Sequence, residues 1–163
     1  MIALGALVPL GACAAYTYTI DPSLGIGLAI GSIAGVVMTP DIDHHVRTRE
    51  ETIFYNVSPS LGRLYESFWS PFRILVGRRH RGTTHVPIWG TTLRYLYLAF
   101  GIQMIFYVVL GVLNDFGLEE AFVSVQSLEE AFRLFFFSIV GLGILIGWAC
   151  QDLVHILSDL IAS

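Results

Sequence analysis

Three short polar motifs with residue types that could bind a metal ion stand out against an apolar chain. The first motif is PDIDHH at residues 40–45, the second is HRGTTH at residues 80–85, and the third consists of Asp152, His155 and Asp159. All five histidines of the chain lie in these motifs. Carboxylate oxygens and imidazole nitrogens bind zinc, and they also bind manganese or iron. The motifs therefore predict a divalent metal site, with zinc as the first choice of ion.

The third motif has a spacing that suits a helix. Asp152, His155 and Asp159 are three and four residues apart, which places them on one stripe of a helix. Such a stripe is costly in lipid unless its members are paired or ligated. Simpler roles are open for single residues: Asp41 and Asp43 could flank a helix end, and Asp152 could pair with an arginine.

The elements that must position these motifs are predicted to be membrane helices. Hydrophobic residues make up 55% of the 163-residue chain and charged residues only 13%. A soluble domain usually carries roughly 25% charged residues. This composition predicts an all-α membrane protein and excludes soluble and disordered classes. The net charge of -4 argues against nucleic acid as a partner, because nucleic-acid binding relies on positive charge.

Four apolar stretches predict about four transmembrane helices in a single domain, at residues 2–20, 24–39, 86–113 and 131–161. The glycines of the second stretch predict close helix packing. The polar region 41–84 is expected to contain one or two short amphipathic helices at the membrane surface. In residues 61–76, an apolar side is predicted with a break at the proline; its members are Leu64, Phe68, Phe72 and Leu75, with Trp69 beside them. Residues 114–130 are expected to form a short acidic loop.

The arginines predict the orientation in an inner or plasma membrane. Seven of the nine arginines lie in the region 41–84, and segments rich in arginine stay cytoplasmic. With four spans, the N- and C-termini are then cytoplasmic as well. The second span ends, the third begins and the fourth ends on this side. All three motifs are therefore expected to meet at the cytoplasmic face.

The motifs also carry a family resemblance. Residues 40–44, 80–85 and 155–159 together resemble the YdjM-like family of membrane-bound, metal-dependent hydrolases. The longer run HVPIWGTTLR at residues 85–94 is closer to a related group of membrane proteins described as metal-binding. The resemblance covers about residues 36–45, 78–98 and 147–160. Relatives often carry a histidine near the N-terminus, whereas the first histidine here is His44.

The resemblance implies a set of metal ligands. The positions that match the family motif are Asp41, Asp43, His44, His80, His85, His155 and Asp159. The family is distantly similar to zinc phospholipase C and to single-strand nucleases, which suggests hydrolysis of a phosphodiester by analogy.

These observations lead to a hypothesis for the reaction. A metal ion would activate water near neutral pH, and Asp43 or Asp152 is the candidate proton acceptor. Arg81 could hold a phosphate by paired hydrogen bonds. Because the site is expected at the interface, membrane lipids are the predicted partners and an anionic lipid or lipid-phosphate is the predicted substrate. Contact with anionic headgroups is an equally weighted role for the arginines.

Two alternatives are not enzymatic. The metal could be purely structural, in a membrane scaffold or an assembly subunit of a larger membrane complex. The polar stripe could instead belong to a transport path, for which four spans are few unless the chain forms homo-oligomers. The apolar residues 135–146 argue against a continuous transport path.

Overall fold

The computed structural model describes residues 6–38, 49–76, 86 and 88–162. These residues form seven helices and no strand, which confirms the all-α class. The helices are α1 (Leu7–Ile20), α2 (Pro22–Val37), α3 (Arg49–Val57), α4 (Pro59–Val76), α5 (Trp89–Asp115), α6 (Glu119–Phe136) and α7 (Ile139–Ala162).

Helices α1 and α2 form a tight antiparallel hairpin. Asp21 lies between them in extended backbone, and its side chain accepts a hydrogen bond of 3.0 Å from the backbone N–H of Leu24. Pro22 follows at the first helical position, where its missing N–H costs nothing. Gly25 faces the backbone of Tyr18, so the two helices approach closely just after the turn.

The most extensive helix contact joins α2 to α7, and glycines on both helices make it possible. A Cβ atom added to Gly143 would lie 2.6 Å from the carbonyl oxygen of Leu24 and 2.9 Å from the Cα of Gly27. Gly31 meets the backbone of Ile144 in the same way. The predicted close packing of the second apolar stretch is thus confirmed. The two helices run parallel, so their carboxyl ends point to the same side.

The expected acidic loop at residues 114–130 is wrong, because most of it belongs to α6. Gly117, with a φ of 65°, reverses the chain after α5. Glu119 and Glu120 then stand in the first turn of α6, where negative charge is favourable. Phe132 and Phe136 recur on one side of α6, and Phe132 contacts Phe106 of α5.

The third and fourth apolar stretches begin later than predicted. Helix α5 starts at Trp89 because Ile88 has a φ of 68°, which a right-handed helix cannot contain. Helix α7 starts at Ile139 because Ser138 caps it, its hydroxyl accepting a hydrogen bond of 3.1 Å from the N–H of Val140.

Helix α4 corrects two expectations about residues 61–76. Pro71 does not break it, because the helix is held on both sides of the proline by Trp69 and Phe72, which are 1% and 3% exposed. The buried face is centred on Trp69, whereas Leu64 and Leu75 are 67% and 78% exposed. The observed buried face of α4 is therefore rotated about the helix axis from the predicted apolar side by about one residue, roughly 100°.

Two of the four predicted spans are long and apolar enough to cross a membrane: α5 and residues Ile139–Ser158 of α7. The described parts of α1 and α2 contain 14 and 16 residues. At a rise of 1.5 Å per residue they measure about 21 and 24 Å, short of a hydrocarbon core of about 30 Å. Helix length therefore does not support the prediction of about four spans.

Candidate metal centre

Most of the predicted site lies outside the described residues. This applies to every predicted residue of the first two motifs: Asp41, Asp43, His44, His80, Arg81 and His85. The third motif lies on α7, where Asp152 and His155 are described in full and Asp159 is described by its helical backbone alone. Within the described ranges, no group of three His, Cys, Asp or Glu side chains is placed to hold a metal ion.

A buried ion pair stands beside the third motif. Arg94 of α5 is 0% exposed, and its Nη2 donates to Oδ2 of Asp152, which is 1% exposed. The hydroxyl of Thr91, one turn earlier on α5, donates to the same carboxylate oxygen. The pair fixes the start of α5 against the second half of α7. The alternative role for Asp152, pairing with an arginine, is therefore confirmed.

Arg94 also reaches the carboxyl end of α2. Its Nη1 donates a hydrogen bond of 2.7 Å to the carbonyl oxygen of Met38, and its Nε donates one of 3.3 Å to that of Gly90. The indole N–H of Trp148 donates to the same Met38 oxygen at 3.1 Å. The guanidinium carbon of Arg94 lies 5.3 Å from the centroid of the Trp148 ring, within range of a cation–π contact. We call these four residues, Met38, Arg94, Trp148 and Asp152, the Arg94 network.

The Arg94 network joins the chain segments that carry all three motifs. Met38 precedes Asp41 by three residues, Arg94 follows His85 by nine, and Asp152 precedes His155 by three. Met38 and Asp152 thus both contact Arg94, although more than one hundred residues separate them in the sequence. The structure therefore brings together the end of α2, the start of α5 and the second half of α7. That the three motifs themselves meet at the cytoplasmic face stays a prediction.

Two polar atoms of the third motif suit a ligand-binding role. Oδ1 of Asp152 is buried and accepts no hydrogen bond from any residue that the structure describes. The Nε2 atom of His155, one turn further along α7, is also buried. A buried carboxylate oxygen with spare acceptor capacity and a buried imidazole nitrogen are chemically suited to a divalent cation. Of these two residues, His155 belongs to the predicted ligand set and its chemistry fits a metal ion, whereas Asp152 was predicted as a proton acceptor.

Sequence reasoning did not single out Arg94 as a functional residue. The signal was present, because an arginine inside an apolar helix needs a partner, and Asp152 was a buried acid without an assigned one. Trp148 and the carbonyl of Met38 were not foreseeable in the same way. The Met38 carbonyl oxygen can accept these hydrogen bonds because of where α2 ends, and the sequence does not show the direction of that carbonyl.

Comparison with protein families gives a match over the whole chain. A family model described as "Uncharacterized metal-binding protein (DUF2227)" matches residues 1–163. The chain belongs to this family. Neither a curated protein nor a solved structure matches it significantly.

The family match supports the metal-binding part of the sequence interpretation. It covers all three motifs and the Arg94 network, and its description leaves the kind of metal open. It does not extend to the YdjM-like hydrolases, so the hydrolase assignment rests on the motif resemblance.

Proposed function

We propose that this chain is a membrane-bound, metal-dependent hydrolase whose metal centre lies beside the Arg94 network. The observation that carries the proposal is the junction of three segments: the end of α2, the start of α5 and the second half of α7. Each segment adjoins or contains one of the three motifs, which together supply carboxylates and imidazoles. The family description as metal-binding supports the same assignment.

The ligands we propose are those implied by the motif resemblance. They are Asp41, Asp43, His44, His80, His85, His155 and Asp159. A divalent ion bound there would supply Lewis acidity, which activates water near neutral pH. Zinc is our first choice because imidazole and carboxylate are among its usual ligands. Manganese and iron accept the same ligands.

The remaining chemistry is assigned to side chains of the chain itself. Asp43 is our first candidate to accept the proton of the attacking water. Asp152 is the second candidate, and Oδ1 is the oxygen that would do so, because Oδ2 already accepts hydrogen bonds from Arg94 and Thr91. Arg81 would hold the phosphate of the substrate through its guanidinium group.

A phosphodiester or lipid-phosphate in the membrane is the substrate class that we favour. Large hydrophobic side chains in the middle and second half of α5 are exposed, among them Phe100, Met104, Tyr107 and Val108. A surface of this kind is unfavourable in water and favourable in lipid. It supports a membrane location with the metal centre at the end of the helix bundle, where the polar region 41–84 is proposed to face the cytoplasm.

Metal analysis of the purified protein tests the proposal first. We expect one or two bound divalent ions, a reduced content in His155→Ala, and an unchanged content in His45→Ala. His45 is a matched control because it lies in the first motif but outside the proposed ligand set. Loss of metal in neither variant, or in both equally, would contradict the ligand assignment.

A hydrolysis assay separates the enzyme from a structural metal protein. The metal-loaded protein is incubated with a panel of phosphodiesters and phospholipid vesicles, and Asp43→Asn serves as the impaired variant. Turnover that Asp43→Asn lowers by about 100-fold or more supports the proposal. Stoichiometric metal with no turnover on any substrate would favour the structural role instead.

A further inference from the structure

The Arg94 network points to a role for Arg94 itself. We propose that Arg94 is a positioning residue that sets the metal affinity of the chain by holding the carboxyl end of α2 against Asp152. The inference rests on the proposed metal centre. It assigns a role to a residue that lies outside the three motifs.

The contacts of Arg94 require the shape of a guanidinium group. Three of its nitrogens donate to three acceptors that belong to three different elements: Gly90 of α5, Met38 at the end of α2, and Asp152 of α7. A guanidinium group is a rigid planar fork, so the three acceptors are held at fixed relative positions. A lysine would keep the positive charge beside Asp152 but could not reach the Met38 oxygen in the same geometry.

Met38 is the residue through which Arg94 holds the chain just before the first motif. Its N–H still donates to Ala34 at 2.8 Å, but its φ of −120° and ψ of 71° leave the helical range, so the helix ends there. Its side chain packs against both aromatic clusters, one around Trp69 and the other around Trp148. Only Thr39 and Pro40 separate it from Asp41. A shift of Met38 therefore changes the position from which the chain continues toward the first motif.

A purely electrostatic role for Arg94 makes a different prediction from a positioning role. If Arg94 only compensates the buried charge of Asp152, Arg94→Lys retains that function. If Arg94 positions α2, Arg94→Lys fails because the bond to Met38 is lost. Trp148→Phe removes the other donor to the Met38 oxygen and leaves the ion pair intact, so it should show the same effect in a milder form.

The experiment measures zinc affinity of the full chain in detergent by competition with a chelator of known affinity. The variants are Arg94→Lys and Trp148→Phe, and Arg133→Lys is the matched control because Arg133 is an exposed arginine of α6. Loss of a side chain that orients metal ligands typically lowers metal affinity 10- to 100-fold. We expect a loss in this range for Arg94→Lys, a loss of a few-fold for Trp148→Phe, and a change below twofold for Arg133→Lys.

Amide hydrogen exchange of the metal-free proteins gives a second readout that does not depend on zinc. We expect the last turn of α2, residues 34–38, to exchange faster in Arg94→Lys than in the wild type, with the middle of α5 unchanged. Zinc affinity of Arg94→Lys within twofold of the wild type would overturn the proposal, even if its unfolding temperature fell. So would weakened zinc binding with unchanged exchange of residues 34–38.

Failure of the proposed function has a separate signature. In that case the wild type binds no zinc, and a role of Arg94 in metal affinity falls with it. The exchange data then still decide whether Arg94 holds the end of α2.

Discussion

Replacement of Gly143 by alanine tests the packing that aligns α2 with α7. The added Cβ would lie 2.6 Å from the carbonyl oxygen of Leu24, about 0.8 Å short of the 3.4 Å at which ordinary van der Waals contact begins. Because the opposing atoms are backbone, no side chain can rotate away, and the helices must separate. A gap of roughly 0.5–1 Å forfeits a quarter to a half of the attraction of each atom pair that it opens. We expect overpacking here to cost about 2 kcal/mol, within the usual 1–3 kcal/mol.

Gly111→Ala is the matched control. Gly111 lies in α5, and none of the described residues comes within 4 Å of a Cβ placed there. Alanine is a better helix former than glycine by about 0.5–1 kcal/mol, so this variant should be slightly stabilised. Gly143 also lies inside a helix, so this gain applies to both variants and cancels. Their free energies of unfolding should therefore differ by about 2 kcal/mol, the cost of overpacking at Gly143. Unfolding in detergent, followed by circular dichroism, measures the difference. Equal stability of the two variants would refute the close contact of α2 with α7.

Three further predictions concern α6, α4 and the metal. Tyr95→Phe removes the hydroxyl that donates a 2.6 Å hydrogen bond to the Phe136 carbonyl, so we expect a loss of about 1 kcal/mol in unfolding experiments, against no change for the exposed Tyr107→Phe. In lipid vesicles, an environment-sensitive fluorophore on a cysteine at Leu64 should report an apolar surrounding. The same label at Glu66 should be quenched by aqueous iodide. Equal quenching at the two positions would argue against lipid at this face of α4. Zinc should raise the unfolding temperature of the purified protein, because a ligand that binds the folded state stabilises it, and a chelator should reverse the rise. An unchanged unfolding temperature at saturating zinc would count against a zinc site.

The helical class and the packing of α2 followed directly from the sequence. Composition and the long apolar stretches predicted helices, and the structure confirms the all-α class. The glycine spacing in α2 predicted close packing, and the structure adds the partner glycines Gly143 and Gly147 on α7. Patterns of small residues are readable in advance because they reflect a local steric requirement of the helix that carries them.

The boundaries and faces of other helices could not be read in the same way. An acidic composition at residues 114–130 suggested a loop, but Phe132 of α6 packs on Phe106 of α5, and Glu119 and Glu120 are favourable in the first turn of α6. The start of α5 depends on the positive φ of Ile88, for which the sequence carries no marker. The buried face of α4 depends on its contact with α5, where the Tyr97 hydroxyl donates a hydrogen bond of 2.5 Å to the Phe68 carbonyl. Tertiary contacts determine these helix boundaries and buried faces.

The candidate site was predictable as three motifs and not as a network. Residue types and order identified the carboxylates and histidines, and helix directions predicted that their segments meet. The element that joins the segments is Arg94, whose partners are a carboxylate 58 positions away and a backbone oxygen 56 positions away. No local pattern encodes these distances, because they arise from the packing of α2, α5 and α7.

X-ray absorption spectroscopy of the zinc-loaded protein tests the central claim most directly, that the three motifs bind one metal centre. We predict a first shell of nitrogen and oxygen ligands at roughly 2.0–2.2 Å, with imidazole scattering and no sulfur. His80→Ala, Asp41→Asn and His155→Ala, one variant from each motif, should each alter this shell, and His45→Ala should leave it unchanged. A shell that contains sulfur from Cys13 or Cys150, or one that any of the three variants leaves intact, would contradict a centre shared by the three motifs.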